Sequence, residues 1–174
     1  MDPRPVIELI DAAVERNGRE LILVGIGGRG GAGKTTLARA VPGAEVVSTD
    51  EFWNGADFDI PRLEREVVTP LSEGRAARFS SYDWVAKRLR GSRTVEPEGI
   101  VVVEGVCALH RLLRDAYAVR VWVEAPADVR LARGIERDGE DARSTWVDVW
   151  MPSEDRYVER DDPISCAHLV IDGF

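Results

Sequence analysis

The sequence predicts an α/β fold built on a mostly parallel five-stranded sheet, because apolar β-type runs alternate with segments of helical periodicity. The runs with strand composition are residues 20–28, 44–50, 99–105, 118–125 and 167–173. The third of them, GIVVVEG, is apolar up to Glu104, which is typical of a parallel strand buried on both faces. Helices between the strands would cover both faces of the sheet, giving a three-layer sandwich.

Helical patterns occur between the predicted strands and also before the first one. The N-terminal segment 4–17 has apolar residues at helical spacing, and the helix KTTLARAV follows the first strand. A helix is predicted at about 61–73, followed by an irregular segment through Pro97. The remaining predicted helices are 108–116 (ALHRLLRDA), 126–138, which begins with a proline, and 142–159.

Length and charge limit the class of protein. The 174 residues fit a single domain, 1–174, and the net charge of −8 argues against nucleic acid or an anionic membrane as a partner. The N-terminus has no secretory pattern, and Cys107 and Cys166 do not form a CxxC pair. These features predict a cytoplasmic protein; a homo-oligomer remains open.

A glycine-rich motif lies between the first strand and its helix. Residues 28–35, GRGGAGKT, fit the pattern G-x-x-x-x-G-K-[ST] of a phosphate-binding loop, or P-loop. Its glycines let backbone amides face phosphate oxygens, and Lys34 can reach the β- and γ-phosphates. The sequence therefore predicts a nucleoside triphosphate and Mg²⁺ as ligands; ATP is the expected nucleotide, and the preference for ATP over GTP stays open. The predicted ATP-binding residues are Gly28, Arg29, Gly30, Gly31, Ala32, Gly33, Lys34, Thr35 and Thr36.

Two oxygen ligands are predicted for Mg²⁺. The Thr35 hydroxyl group belongs to the P-loop motif, and Glu104 ends the buried strand of residues 99–105. A glutamate that only caps the following turn is the alternative for Glu104. The adjacent Gly105 favours the metal site, because glycine permits close approach of the backbone.

A polar and aromatic stretch, VVSTDEFW, ends the second strand. Asp50 lies where an acceptor hydroxyl group could be oriented and deprotonated, and Trp53 would form a wall of the acceptor pocket. Glu51 is interpreted as the solvated member of the acidic pair. A turn or helix cap is the alternative role for Asp50.

A helical lid is predicted at about 130–145. Arg130, Arg133 and Arg137 share one helical face, from which arginines could bind the transferred phosphoryl group. Arg133 and Arg137 are the predicted catalytic arginines, together with Lys34 and Asp50, whereas Arg130 is assigned to structure. The alternative is a solvated face paired with neighbouring acids.

Three classes of protein use a P-loop: small-molecule kinases, GTPase switches and ATP-driven machines. The guanine-specific N-K-x-D segment is absent from the sequence, and 174 residues leave little room for the additional domains of a motor. A kinase for a small hydroxyl acceptor is therefore the predicted class.

These motifs together resemble the uridine kinase-like branch of the P-loop kinases, from about Leu21 to Gly173. The matching stretches are TDEFW (49–53), FDIP (58–61), YDW (82–84), VVVEGV (101–106) and the lid, 130–138. The resemblance implies that Asp50 is the base for a ribose 5′-hydroxyl group and that Glu104 holds Mg²⁺. It also implies that Asp59 contacts ribose hydroxyl groups and that Tyr82 lines the nucleoside site. Trp53, Phe58, Asp59, Tyr82 and Lys87 are the predicted substrate-binding residues.

The sequence departs from that family at positions that are expected to surround the nucleobase of the substrate. The connection between Trp53 and Phe58 is short, Lys87 replaces a base-contacting histidine, and Gly134 replaces a second lid arginine. The basic cluster 87–93 is interpreted as a solvated helix end or as an anion-binding group. Three hypotheses remain open: a nucleoside kinase, a kinase for another small alcohol such as a sugar or a cofactor precursor, and a non-catalytic nucleotide sensor.

Overall fold

The computed structural model describes residues 1–18 and 20–173. Its strands are β1 (Leu21–Gly28), β2 (Ala44–Ser48), β3 (Ala77–Asp83), β4 (Arg88–Val95), β5 (Gly99–Gly105), β6 (Val119–Glu124) and β7 (Leu169–Asp172). Five of them form one sheet in the order β2-β5-β1-β6-β7, and every pairing in this sheet is parallel. The predicted five-stranded parallel sheet is therefore confirmed.

Helices precede and connect the strands. They are α1 (Arg4–Asn17), α2 (Lys34–Ala40), α3 (Ile60–Leu63), α4 (Thr69–Ser72), α5 (Ala127–Asp138), α6 (Arg143–Thr145) and α7 (Met151–Asp161). A π-helical turn, Glu64–Val68, joins α3 to α4, and another, Trp146–Trp150, joins α6 to α7. Pro70 and Pro152 follow these turns by two residues. A proline ring clashes with the carbonyl group four residues earlier, so the wider turns let each helix continue past its proline.

The sheet is covered on both faces, which gives the predicted three layers. Along β1, Ile22, Val24 and Ile26 pack with α1 and α2, whereas Leu23 packs on the opposite face with α3, α4 and the chain after β5. This alternation follows from the two-residue period of a strand. The central strands are buried on both faces, and their carboxyl ends meet at one edge of the sheet.

Two elements differ from the prediction. Residues 108–116 form turns and a short 3₁₀ helix, Arg114–Ala116, rather than an α-helix. Leu109 and Leu113 are fully buried, and Leu109 packs against the sheet at Gly25 and Gly27. The two buried leucines are four residues apart, which is the spacing of one helical face. The backbone between them nevertheless forms turns with i→i+3 hydrogen bonds.

The segment predicted to be irregular contains an antiparallel hairpin of β3 and β4. Its base is buried through Ala77, Phe79 and Val95, and its tip is exposed. Arg88–Val95 is mostly polar, so the sequence lacks the alternating apolar pattern of a strand. Among the described residues, no helix has the length and apolar character needed to cross a membrane.

Candidate active site

The P-loop connects β1 to α2 at the carboxyl edge of the sheet. Gly31 and Gly33 have φ angles of +74° and +106°, which favour glycine. A Cβ atom at Gly31 would lie 2.4 Å from the backbone oxygen of Arg130, so helix α5 approaches the loop too closely for a side chain. The loop geometry therefore depends on glycine, as the motif predicts.

Lys34 is buried at the start of α2 and donates a hydrogen bond to the Arg29 carbonyl oxygen at 2.8 Å. Burial lowers the pKa of Lys34, while the charges of Glu104, Glu154 and Asp50 act in the opposite direction. The ammonium group thus lies among three carboxylates with few water molecules around it. These carboxylates partly offset the attraction of the ammonium group for a phosphate.

The Thr35 hydroxyl group donates a hydrogen bond to the Glu104 carboxylate at 3.2 Å. Glu104 ends β5 and is 4% exposed, and burial raises its pKa. The two groups supply adjacent oxygen atoms, the type of ligand that Mg²⁺ prefers. Within the described residues, no cluster of three or more histidine, cysteine, aspartate or glutamate residues could hold a metal ion. The chemistry of the donor pair therefore fits a Mg²⁺ that is bound mainly through nucleotide phosphates.

We expect Glu104→Gln to weaken ATP-dependent Mg²⁺ binding without unfolding the protein. Because burial raises the pKa of Glu104, the ionised carboxylate opposes folding above that pKa, and this cost disappears as the pH falls below the ordinary value of 4.5. The variant should therefore unfold at a temperature no lower than wild type at neutral pH. Calorimetric titration with Mg²⁺ in the presence of ATP, together with thermal unfolding, checks both parts; unchanged Mg²⁺ affinity would contradict the metal site.

A cavity of about 330 Å³ adjoins this oxygen pair. The cavity is lined by Thr35, Arg39, Val46, Ser48, Asp50, Glu51 and Glu104. It therefore brings the predicted metal ligands and the predicted base to one opening. This convergence follows from the sheet order, since β2 is the direct neighbour of β5.

Asp50 lies in a 3₁₀ turn, Thr49–Phe52, directly after β2. Surrounding protein raises its pKa, and the positive charges of Lys34 and Arg137 oppose that shift. The side chain remains open to solvent, so its desolvation is only partial. Asp50 is thus accessible to an incoming molecule and close enough to Lys34 and Arg137 for their charges to act on it.

Glu51 is not the solvated residue that the sequence suggested. Its carboxylate accepts hydrogen bonds from the Ser48 backbone amide at 3.1 Å and from the Ser81 hydroxyl group, and it pairs with Arg93 at 2.7 Å. These partners gather around it because the β3–β4 hairpin packs against the turn. The basic cluster 87–93 is correspondingly not a helix end: residues 88–93 belong to strand β4, and Lys87 precedes the strand in the hairpin turn.

Aromatic side chains from the segment that follows Asp50 and from the hairpin contact one another. Trp53 stacks on Trp84 with ring centroids 5.4 Å apart and meets Phe58 edge-on at 5.3 Å; Tyr82 meets Trp84 edge-on at 5.1 Å. Phe52, by contrast, belongs to the core. The predicted pocket residues Trp53, Phe58 and Tyr82 thus form one surface together with Trp84, which is 52% exposed.

The other two predicted substrate residues are placed differently. The Asp59 carboxylate accepts a hydrogen bond from the Arg62 amide at 3.0 Å and thereby caps α3. This structural role does not test a contact with substrate, which stays a prediction. Lys87 lies exposed in the hairpin turn with a φ of +51°.

The three lid arginines lie on α5 and have different surroundings. Arg130 is buried and pairs with Glu154 at 3.3 Å, in agreement with its assignment to structure. Arg133 donates hydrogen bonds to the backbone oxygens of Gly31 at 3.2 Å and Gly173 at 2.8 Å. Arg137 is largely exposed and pairs with the neighbouring Asp138 at 2.7 Å. Arg133 therefore contacts the P-loop itself, whereas the Arg137 guanidinium group remains accessible to a bound ligand.

The glycine in the lid has a steric reason. A Cβ atom at Gly134 would lie 2.4 Å from the ring of Trp146, which is buried against both Gly134 and Gly30 of the P-loop. The indole nitrogen donates a hydrogen bond to Asp138 at 2.9 Å. The tryptophan thus fills the space beside the lid helix, which explains why no arginine stands at position 134.

Sequence reasoning did not identify the acidic pair that holds the P-loop. The Glu154 carboxylate accepts a hydrogen bond from the Gly30 amide at 2.9 Å, and Asp155 pairs with Arg29 at 2.9 Å. The Arg29 side chain is therefore directed to α7, and its predicted ATP contact rests on its backbone. Both acids are more than 120 residues from the loop in sequence, so no local pattern reveals them.

A parallel sheet with a P-loop after its central strand β1, together with Thr35, Glu104 and Asp50 at one opening, is the arrangement of the P-loop kinase fold. This chain belongs to the phosphoribulokinase / uridine kinase family, which matches residues 44–172. A uridine kinase from Halobacterium salinarum is 31% identical over an alignment of 138 residues, and the match covers 66% of this chain and 61% of that protein. The match thus spans less than two thirds of that relative.

Two solved structures have the same fold. A possible uridine kinase from Bacillus stearothermophilus aligns with a TM-score of 0.71 and 20% identity, covering 99% of this chain and 100% of that chain. A candidate fructose transport system kinase from Silicibacter sp. TM1040 aligns with a TM-score of 0.72 and 20% identity, covering 98% and 99% of the respective chains. At this identity the two structures establish the fold alone.

Proposed function

We propose that this protein transfers the γ-phosphoryl group of ATP to a hydroxyl group of a small molecule, with a nucleoside as the first candidate. The observation that carries the proposal is the shared cavity, because Thr35, Glu104 and Asp50 all line it. A nucleotide-binding module without catalysis would need only the first two residues. An accessible carboxylate beside the phosphate site supplies what a transfer reaction additionally requires.

Each residue has a distinct task in this proposal. The P-loop amides and Lys34 bind the β- and γ-phosphates, while Thr35 and Glu104 hold Mg²⁺. When bound, Mg²⁺ offsets the negative charge that develops on the transferred group. Asp50 accepts the proton of the acceptor hydroxyl group and orients its oxygen. Arg137 stabilises developing charge, and Arg133 holds the P-loop carbonyl of Gly31 in place.

Two considerations support a nucleoside as the acceptor. The curated Halobacterium salinarum relative is named a uridine kinase. Trp84 is 52% exposed and packs against Trp53 and Tyr82, so it offers an aromatic surface on which a planar base can stack. Neither consideration identifies the base, so we propose the class of acceptor only.

A kinase for a smaller alcohol, such as a sugar, is the second candidate. Trp53 and Phe58 pair through a single antiparallel bridge, and Asn54 closes the tight turn between them. This compact turn leaves no long segment to cover a large acceptor. A radiolabelled transfer screen with [γ-³²P]ATP across nucleosides, sugars and vitamins, with a control lacking acceptor, distinguishes the candidates. ATP binding without transfer to any acceptor would favour the nucleotide sensor.

The two lid arginines should behave differently on substitution. We expect Arg137→Ala to lower kcat and kcat/KM together by about 10²-fold, because the guanidinium group acts on charge that develops during transfer. Arg133→Ala should in addition weaken ATP binding, since Arg133 holds the Gly31 and Gly173 carbonyl groups. Steady-state kinetics and ATP titration separate the two effects.

Arg143 provides the matched control for these variants. It lies after α5 within the predicted lid, and among the described residues its side chain pairs only with Glu140 at the surface. Arg143→Ala should leave both kcat and ATP affinity unchanged. If Arg137→Ala raised only the KM for ATP, Arg137 would bind the ground state and not the transition state.

A further inference from the structure

The carboxylate of Glu51 connects three segments of the chain. It accepts hydrogen bonds from the amide of Ser48 at the end of β2, from the hydroxyl group of Ser81 on β3, and from Arg93 on β4. Its side chain is only 20% exposed, so these bonds are largely shielded from water. Hydrogen bonds to an ionised group are the stronger ones, and shielding strengthens them further.

Arg93 makes the connection from the hairpin side. One arm of its guanidinium group donates to Glu51 at 2.7 Å, and the other donates to the Val46 carbonyl oxygen at 2.6 Å and to Glu45. The guanidinium group also lies over the Phe79 ring, 5.6 Å from its centroid. The Arg93 side chain on β4 is therefore bonded to two residues of β2 and to the turn that follows β2. We call the Glu51–Arg93 pair the clasp.

The clasp stands between the buried base of the hairpin and its exposed tip. Ala77, Phe79 and Val95 anchor the base in the core, whereas residues 84–92 are exposed. A two-stranded hairpin is marginally stable when it is not packed against anything else. The position of the hairpin tip relative to β2 thus depends on contacts other than those of the buried hairpin base. The clasp provides such contacts in the form of an ion pair and charge-assisted hydrogen bonds.

The hairpin and the turn after β2 both contribute side chains to the aromatic surface. Tyr82 and Trp84 come from the hairpin, and Trp53 comes from the turn that carries Asp50 and Glu51. Asp50 and Trp53 are only three residues apart, so the turn fixes their separation. The separation between Asp50 and the hairpin aromatics depends instead on how the hairpin packs against β2 and its following turn, and the clasp joins these two parts.

We infer that Glu51 and Arg93 are positioning residues that hold the hairpin half of the acceptor surface in register with Asp50. The inference rests on the proposed function, because it assigns to the clasp an effect on acceptor binding. Arg93 does not line the cavity that contains Asp50, whereas Glu51 lines it with a carboxylate that is already bonded to Ser48, Ser81 and Arg93. We assign both an effect on the acceptor through Tyr82 and Trp84. Within the described residues, neither clasp side chain has a hydrogen bond or an ion pair with the P-loop, so ATP affinity should change little when the clasp is removed.

The test compares Arg93→Gln with Arg93→Lys, Glu51→Gln and the control Arg78→Gln. Arg78 is exposed on the same hairpin and has no hydrogen-bond or ion-pair partner in the part of the chain that the structure describes. Steady-state kinetics are measured with uridine, or with the acceptor that the transfer screen identifies. Hydrogen–deuterium exchange of residues 77–95 is measured in parallel, with β5 as the internal reference.

We expect Arg93→Gln to raise the acceptor KM about 10-fold, the loss that corresponds to one charge-assisted hydrogen bond, with the KM for ATP unchanged. Glu51→Gln should act in the same direction, and Arg93→Lys should restore part of the affinity because it keeps the charge. Exchange should accelerate at residues 81–92 in Arg93→Gln but not in β5. Arg78→Gln should behave as wild type in every measurement.

Two results would overturn the inference in an active enzyme. One is unchanged hairpin exchange with an unchanged acceptor KM in Arg93→Gln. The other is a fall in kcat and in unfolding temperature with the acceptor KM unchanged, which is the signature of a purely structural residue. If wild type phosphorylated no acceptor at all, the proposed function would be overturned and the positioning role with it. The exchange data separate these cases, since they do not require activity.

Discussion

Lys34→Ala is expected to remove measurable ATP binding and, with it, any phosphoryl transfer. The ammonium group is buried among Glu104, Glu154 and Asp50, so it is the charge that offsets these carboxylates when phosphates arrive. Truncating one partner of a buried, hydrogen-bonded charge pair costs about 2–5 kcal/mol, or about 30- to 5,000-fold in affinity. Isothermal titration of ATP in the presence of Mg²⁺ measures the loss.

The fold should survive this substitution. Burial lowers the pKa of Lys34, so the charged form carries a desolvation cost that alanine removes, while alanine also leaves Glu104, Glu154 and Asp50 without their counter-charge; the two effects oppose each other. The loop conformation depends on its glycines and on the contact of Gly31 with Arg130, which alanine at position 34 leaves in place. Lys87, the other lysine of the chain, is the matched control, and Lys87→Ala should bind ATP like wild type. Undiminished ATP affinity in Lys34→Ala would refute the P-loop assignment.

The parts of the fold that the sequence predicts well are those specified by local patterns. Strand β5 is a continuous apolar run, and the P-loop needs glycines at fixed spacing, so neither depends on distant residues. The convergence of Thr35, Asp50 and Glu104 also follows from the sequence, once parallel strands are assumed to end at a common edge.

The parts that it misses depend on long-range contacts. Glu51 reads as a surface acid because its partners Ser81 and Arg93 are 30 and 42 residues away. Strand β4 has a polar sequence and is held by its pairing with β3 and by the clasp. Residues 108–116 have helical spacing, but the need to bury Leu109 against Gly25 and Gly27 bends their backbone. In each case tertiary packing overrides the local preference.

The structure also changes how the acidic pair at positions 50 and 51 should be tested. Substituting Glu51 is not a neutral control for Asp50, because Glu51 is bonded to Ser48, Ser81 and Arg93. The two residues are instead separated by the kinetic constant that changes. A positioning defect at Glu51 raises the acceptor KM, whereas loss of a base at Asp50 lowers kcat.

Asp50→Asn is expected to lower kcat by about 10²–10³-fold, the lower half of the range for removal of a general base. The lower half is expected because phosphoryl transfer has a loose transition state with little early deprotonation of the acceptor. Asparagine keeps the size of the side chain and some hydrogen bonding but cannot accept the proton. ATP affinity should change little, since Lys34 and the backbone amides bind the phosphates. Acceptor-dependent transfer and ATP titration check both statements.

The pH dependence gives an independent readout of the same residue. Partial desolvation raises the pKa of Asp50 above the ordinary value of 3.8, and a base acts only when it is ionised. Activity of wild type should therefore fall with decreasing pH through a midpoint above 3.8, and Asp50→Asn should lose this acid limb. Because the raised pKa means that the ionised carboxylate opposes folding, the variant should be no less stable than wild type at neutral pH. If Asp50→Asn retained both wild-type kcat and the acid limb, Asp50 would not be the base, and another group would have to accept the proton of the acceptor hydroxyl group.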